Sequence, residues 1–137
     1  VTTEGLNLVG QKDENGNLYP VRYDKGFIDP SAIGFMLQLH EEGIRNIQQA
    51  DNTVLRGIEL ISSIIDNDML RILSHCTNTI AEFGAYSWDP KAQERGEDKP
   101  IKQFDHAMDA LRYVINGTRQ MWQKFIIELE RIENRAA

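Results

Sequence analysis

Apolar side chains recur at every third or fourth position across one stretch of the chain: Val54, Ile58, Ile61 and Ile65. Residues three or four apart share one face of an α-helix. The stretch therefore predicts an amphipathic helix, capped by Asn52 or Thr53, whose apolar face must pack against a core. A chain that contains such a helix has to supply other elements to cover that face.

Short extended segments separate this helix from other predicted helices. Asp29 and Pro30 have the residue types of a helix cap and a first helical residue, and Gly43 is a typical stop. Further helices are predicted at Thr77–Ala85, from His106 to about Gly117, and at 119–135. The strand candidates are the end of a strand at Gly26–Ile28, then Ile44–Ala50, Met69–Leu73 and the short piece Tyr86–Trp88. This alternation indicates an α/β sheet domain.

Composition is compatible with one domain across residues 1–137, with 41% hydrophobic and 26% charged residues. Residues 1–25 are poorly defined, and Asn15 and Gly16 form either a hairpin turn or a loose loop. No apolar run approaches the length of a membrane span, and no signal peptide pattern opens the chain. Cys76 is the single cysteine, which excludes an internal disulfide.

The net charge of −6 argues against a protein that holds DNA through its whole surface. Positive charge is concentrated in one polar loop at residues 89–104, which contains Lys91, Arg95, Lys99 and Lys102. Glu94, Glu97 and Asp98 lie between these cations. An ordinary solvated loop is therefore as good an interpretation as a local phosphate-binding surface.

The segment Asp105–Tyr113 carries the strongest chemical signal. His106 and Asp109 are three residues apart, and Asp105 and Asp109 four apart, so their side chains share one face at a helix start. Carboxylates grouped in this way can hold a hard cation. Asp105 also fits a helix cap, and His106 also fits an ordinary hydrogen-bonding residue.

The segment resembles the last signature of the nuclease domain in the large terminase subunit of tailed bacteriophages. There a His-x-x-Asp pair opens a helix that ends in Leu-Arg-Tyr. Further segments are similar to the same family in the same order, and the resemblance covers about residues 26 to 118. These segments are Phe27–Ala32, Asp51–Ile58, Trp88–Ala92 and Arg95–Lys102.

The resemblance implies a ribonuclease-H-like fold, in which a mixed sheet is flanked by helices and is incomplete on its N-terminal side. It also implies that Asp29 and Asp109 face each other as ligands of two Mg²⁺ or Mn²⁺ ions. Asp29, His106 and Asp109 would be the catalytic residues. His106 has three roles open to it: ligand, orienting residue or proton shuttle.

The function implied is that of an endonuclease of a viral DNA-packaging motor, which cuts concatemeric double-stranded DNA by two-metal phosphodiester hydrolysis. Arg95, Lys99 and Lys102 would contact the DNA. The implied partners are double-stranded DNA, the portal protein and the small terminase subunit, with no membrane. The implied location is the host cytoplasm, transiently on the procapsid.

Two features depart from the family pattern. The family's first catalytic aspartate has no counterpart, because Glu4, Asp13 and Asp24 lack its setting on a central strand. The chain also contains no Gly-x-x-x-x-Gly-Lys-Ser/Thr phosphate loop. A second hypothesis is therefore a catalytically incomplete interaction module whose terminal helix docks on the portal or the small subunit. A third is a resolvase-like nuclease with a preference for branched DNA.

Overall fold

The computed structural model describes residues 14–16 and 24–136, and at positions 129, 130 and 133 it describes the backbone alone. The described residues divide into two compact units, the first ending at Gln49 and the second beginning at Ala50. None of the described helices is long and apolar enough to cross a membrane. Residues 14–16 form a turn, but the apolar patches that would distinguish a hairpin from a loose loop lie outside the described residues.

The first unit is a strand, a helix and a second strand. Strand β1 (Gly26–Ile28) pairs in parallel with β2 (Ile47–Gln49), and Gly26 is opposite Ile47. A short 3-10 helix (Pro30–Ala32) leads into α1 (Ile33–Glu41). The predicted end of a strand at Gly26–Ile28 is confirmed, whereas the strand predicted at Ile44–Ala50 is shorter.

Helix α1 ends where Gly43 predicts. Gly43 has a φ of 85°, and its amide donates to the carbonyl of His40 while the amide of Ile44 donates to that of Leu39. This pair of bonds satisfies carbonyls that the helix end would leave without partners. Leu39 and Ile44, which one of these bonds joins, are both buried. Phe35, on the same helix, is 44% exposed.

The second unit is helical. Helix α5 is its centre, because it packs against α2, α3 and α6. Its buried apolar side chains come from several helices: Ile61, Ile64, Ala92, Met108, Tyr113 and Ile126. The helices are α2 (Val54–Asp66), α3 (Thr77–Ala85), α4 (Pro90–Gln93), α5 (His106–Gly117) and α6 (Arg119–Ala136).

The helices predicted at Thr77–Ala85 and from His106 to Gly117 are confirmed, and α6 matches the predicted terminal helix. The predicted apolar face of α2 is only partly correct. Ile61 is 8% exposed, but Ile65 is 39% exposed and Ile64 is buried in its place.

The strand predicted at Met69–Leu73 is wrong. Asp68 adopts a left-handed φ of 57°, and the amide of Met69 donates to the carbonyl of Ile64. This amide therefore completes the last turn of α2 and is not available for a sheet. Among the described residues the sheet consists of β1 and β2. This small sheet is consistent with an α/β fold, but the larger mixed sheet that was expected is not seen in the described residues.

The polar loop between α3 and α5 is closed at its base. Trp88 and Pro100 form an isolated antiparallel bridge, and the amide of Ile101 donates to the carbonyl of Ser87 at 2.9 Å. Within the loop, Asp89 accepts a hydrogen bond from the amide of Lys91 and so starts α4. The loop that its composition predicts thus contains one short helix and leads into α5.

Candidate functional site

The start of α5 is capped from another helix. Glu82 on α3 accepts hydrogen bonds from the amides of Ala107 at 2.6 Å and Met108 at 3.3 Å. Asp105 occupies the cap position, but its side chain makes no capping hydrogen bond. The predicted capping role of Asp105 is therefore wrong, because a carboxylate 23 positions earlier in the sequence takes that place.

Asp109 is held in place by a buried arginine. Arg112 is 2% exposed, and its guanidinium donates to Oδ1 of Asp109, one helical turn before it. The same guanidinium donates to the carbonyl of Asn52 at 3.3 Å. Asn116, one turn further along α5, donates to the carbonyl of Asp51 at 3.2 Å. This face of α5 therefore fixes both the site carboxylate and the chain that enters α2.

Lys102 lies between two carboxylates. Its Nζ is 3.4 Å from Oδ2 of Asp105 and 3.4 Å from Oδ2 of Asp109. Burial would lower the pKa of Lys102, but the carboxylates of Asp109 and Asp105 outweigh it, and the pKa is raised above its usual value. Phe104, with a left-handed φ of 52°, turns the chain between Lys102 and the carboxylates. The lysine is therefore charged and forms an ion pair with each of the two acids.

Tyr86 lies on the apolar side of this cluster. Together with Arg112 it lines a cavity of about 160 Å³ whose other walls include Ile61, Phe83 and Met108. Burial raises the pKa of the Tyr86 hydroxyl, which therefore stays protonated near neutral pH. The tyrosine is thus not suited to act as a base, and the cavity is a mainly apolar space behind the charged groups.

The remaining predicted catalytic residues lie in different settings. His106 is exposed at the first position of α5. Asp29 belongs to the first unit, where its Oδ1 accepts hydrogen bonds from the amide of Ser31 at 2.8 Å and from its hydroxyl at 2.5 Å. The capping role of Asp29 is confirmed. Its role as a metal ligand stays a prediction.

The three predicted DNA-contacting cations are each paired with acids. Oε2 of Glu97 lies 2.7 Å from Nζ of Lys99 and 3.7 Å from Nη2 of Arg95. Lys102 contacts the two aspartates described above. These bonds, above all the hydrogen bond from Lys99, lower the pKa of Glu97. The loop therefore presents balanced charge, as its interleaved acids suggested.

The described residues contain no group of three or more His, Cys, Asp or Glu side chains arranged to hold a metal ion. Asp105 and Asp109 nevertheless direct one oxygen each towards the same ammonium group. Mg²⁺ is usually held by one or two carboxylates together with water and substrate phosphate. The pair therefore suits a cation whose remaining ligands come from solvent or from DNA.

Two groups in this cluster went unrecognised in the sequence. Arg112 is three residues after Asp109, and that spacing is a readable signal for a helical ion pair. Glu82 has no such signal, because its contact with α5 depends on how α3 packs against that helix.

Solved structures of the large terminase from a thermophilic bacteriophage match the chain. For one crystal form the identity is 43% and the TM-score 0.63, over 66% of this chain and 22% of that one. The complex of that protein with ATP-γ-S gives the same values. Its complex with ADP matches at 44% identity and a TM-score of 0.63, over 67% of this chain and 23% of that one.

No protein-family model matches the chain, and no curated protein matches it. The chain spans less than a quarter of the thermophilic phage's large terminase to which it aligns. Over about two thirds of its own length, the chain is similar to the large terminase of a bacteriophage, the class of protein that its sequence segments resemble.

Proposed function

We propose that this chain is part of the large subunit of a viral DNA-packaging motor, and that the start of α5 belongs to its metal-dependent endonuclease site. The observation that carries the proposal is the convergence of Asp105 and Asp109 on one cationic position. The similarity to the large terminase of the thermophilic phage supports the motor assignment. The substrate would be concatemeric double-stranded DNA.

In this proposal Asp109 is a ligand of Mg²⁺ or Mn²⁺ in a ribonuclease-H-like two-ion site, and Asp29 stays the further ligand that the family resemblance implies. When bound, such ions activate water and stabilise the leaving oxygen in phosphodiester hydrolysis. Arg112 orients Asp109 through Oδ1, so that Oδ2 is the oxygen directed towards the cation position. Asp29 can cap a helix and still bind a cation, because a carboxylate has several acceptor sites.

The exposed residues around the cluster would act on DNA. His106 is accessible enough to shuttle a proton or orient a ligand. Lys99, Lys102 and Arg95 would contact phosphates once their acidic partners are released. The expected partners are the portal protein and the small terminase subunit, in the host cytoplasm and transiently on the procapsid.

The test is plasmid cleavage by the full-length protein with Mg²⁺ or Mn²⁺ and with a chelator. Asp109→Ala is expected to abolish the metal-dependent cleavage. Asp98→Ala is the matched control, because it removes an exposed acid from the neighbouring loop. If Asp109→Ala cuts as well as the parent protein, the assignment fails.

The exposed apolar face of α6 favours a second candidate, an interaction module without catalytic activity. Met121, Phe125 and Ile132 are 57%, 53% and 54% exposed and share one side of the helix. Replacing Met121 and Phe125 by serine separates the candidates. If the chain is an interaction module, the variant should no longer be retained on the portal or the small subunit, and neither the parent chain nor the variant should cut DNA. The nuclease predicts unchanged cleavage of linear DNA.

A further inference from the structure

Asp105 is a buried carboxylate whose position capping does not explain. The residue is 7% exposed, and its Oδ2 is buried and accepts no hydrogen bond from the described residues. Burying a charged oxygen without such bonds is costly. Because Glu82 caps the helix, the carboxylate of Asp105 serves another purpose.

The ammonium of Lys102 lies 3.4 Å from this oxygen, outside hydrogen-bonding geometry. The lysine side chain is 64% exposed, whereas that of Asp105 is 10% exposed. An exposed lysine can swing into solvent at little cost. The buried aspartate cannot follow it, so the two carboxylates stay in place if the lysine leaves.

We propose that Asp105 and Asp109 together bind one divalent cation, and that Lys102 occupies the place of this cation until the cation displaces it. The inference deepens the proposed function, since it assigns Asp105 as a ligand and Lys102 as the competing charge. The ligands that the family resemblance implies are Asp29 and Asp109, and Lys102 was expected only to contact DNA.

Charge balance supports the exchange. Asp105 and Asp109 carry two negative charges, and Lys102 and Arg112 carry two positive charges, so the cluster is neutral as it stands. A divalent cation in place of the ammonium leaves one net positive charge. The released lysine adds a second next to it. Both changes favour a phosphate group on a chain whose net charge is −6.

The test is Mn²⁺ binding to the chain in the absence of DNA, measured by the electron paramagnetic resonance signal of free Mn²⁺. Asp105→Asn is expected to weaken binding at least tenfold, with Asp98→Asn as its control. Lys102→Met is expected to tighten binding by roughly threefold to tenfold, the effect of losing the two ion pairs of an exposed lysine. Its control is Lys99→Met, which removes the same charge from a lysine paired with Glu97.

The inference is overturned if Lys102→Met binds Mn²⁺ no more tightly than Lys99→Met, or if Asp105→Asn stays within twofold of Asp98→Asn. Circular dichroism shows whether Asp105→Asn folds, and if it does not, the lysine variants decide. If cleavage depends on Asp109 but Lys102→Met does not change Mn²⁺ binding, the proposed function stands and this inference fails. If the variants change Mn²⁺ binding as predicted but the protein does not cut DNA, this inference stands and the proposed nuclease function fails.

Discussion

At the scale of single residues, Asp109 has two cationic partners that do different work. Arg112 is 2% exposed and bonds both Asp109 and the carbonyl of Asn52. Lys102 is 64% exposed and contacts the other oxygen of Asp109. An exposed ion pair contributes little to folding, whereas a buried one is costly to break. Arg112 therefore belongs to the framework and Lys102 to the exchangeable part of the site.

Arg112→Met is expected to lower the free energy of unfolding by about 3 kcal/mol, because Asp109 loses its buried partner. The control is Arg131→Met, whose arginine pairs with Glu128 at the same spacing but is 67% exposed. That variant should change stability by less than about 0.5 kcal/mol. Urea denaturation measures both. Equal losses would mean that Arg112 has no structural role of its own.

Asp51 gives a prediction about pH. Hydrogen bonds from Thr53, followed by the charge of Arg56, hold its pKa below the usual 3.8. Because the folded pKa is lowered, the stabilisation is complete above about pH 3.8 and is lost as pH falls through the folded value. Asp51→Ala should therefore cost at most about 1 kcal/mol at pH 7, since solvent screens these exposed groups.

The difference between the parent chain and Asp51→Ala should shrink as the pH falls below 3.8. Urea denaturation at pH 7 and pH 3 measures it. Asp98→Ala is the control for a general charge effect. A difference that is the same at both pH values would rule out the carboxylate of Asp51 as its source.

At the scale of elements, the packing of α5 against α2 depends on a close approach. A Cβ atom at Gly57 would lie 2.9 Å from Cδ and 3.0 Å from Cγ of Arg112. Because Arg112 is buried and bonded at its far end, its stem cannot move aside freely. Gly57 is therefore the point at which α2 accommodates the arginine that orients Asp109.

Gly57→Ala is expected to destabilise the chain by about 1 to 3 kcal/mol through overpacking, despite the better helix propensity of alanine. Gly84→Ala in α3 is the matched control, since a Cβ there meets nothing within 4 Å. It should stabilise the chain by up to about 1 kcal/mol. Thermal unfolding of the two variants compares them. A stabilised Gly57→Ala would contradict the packing described here.

The sequence predicts those elements whose signals are local. Gly43 marks the end of α1, and the helix at Thr77–Ala85 follows from its own apolar pattern. The capping of α5 by Glu82 could not be predicted, because the two residues meet only after α3 packs on α5. The predicted strand at Met69–Leu73 failed for a related reason, since the amide of Met69 is used by the end of α2.

At the scale of the whole molecule, the similarity to the large terminase of the thermophilic phage agrees with the family that the sequence segments resemble. What the sequence could not predict is how the lysines of the polar loop pair. The cations Lys99 and Lys102, expected to meet DNA, are bound by acids within the second unit. A chain with a net charge of −6 and paired cations should bind DNA poorly on its own.

Binding of duplex DNA should therefore depend on divalent cations. With a chelator at about 100 mM salt, fluorescence anisotropy is expected to show little binding, because DNA affinity needs unpaired positive charge. Ca²⁺, a hard cation with the same preference for oxygen ligands, should increase it. Asp98→Asn should keep this response and Asp105→Asn should lose it. Binding that is equally strong in the chelator would contradict the charge argument.

An anomalous-difference map from crystals grown with Mn²⁺ tests whether the start of α5 holds a catalytic cation. We predict a peak roughly 2.0 to 2.2 Å from a carboxylate oxygen of Asp109, with the ammonium of Lys102 displaced from both aspartates. A map without such a peak, at an Mn²⁺ concentration that supports DNA cleavage and with Lys102 still between Asp105 and Asp109, would contradict it.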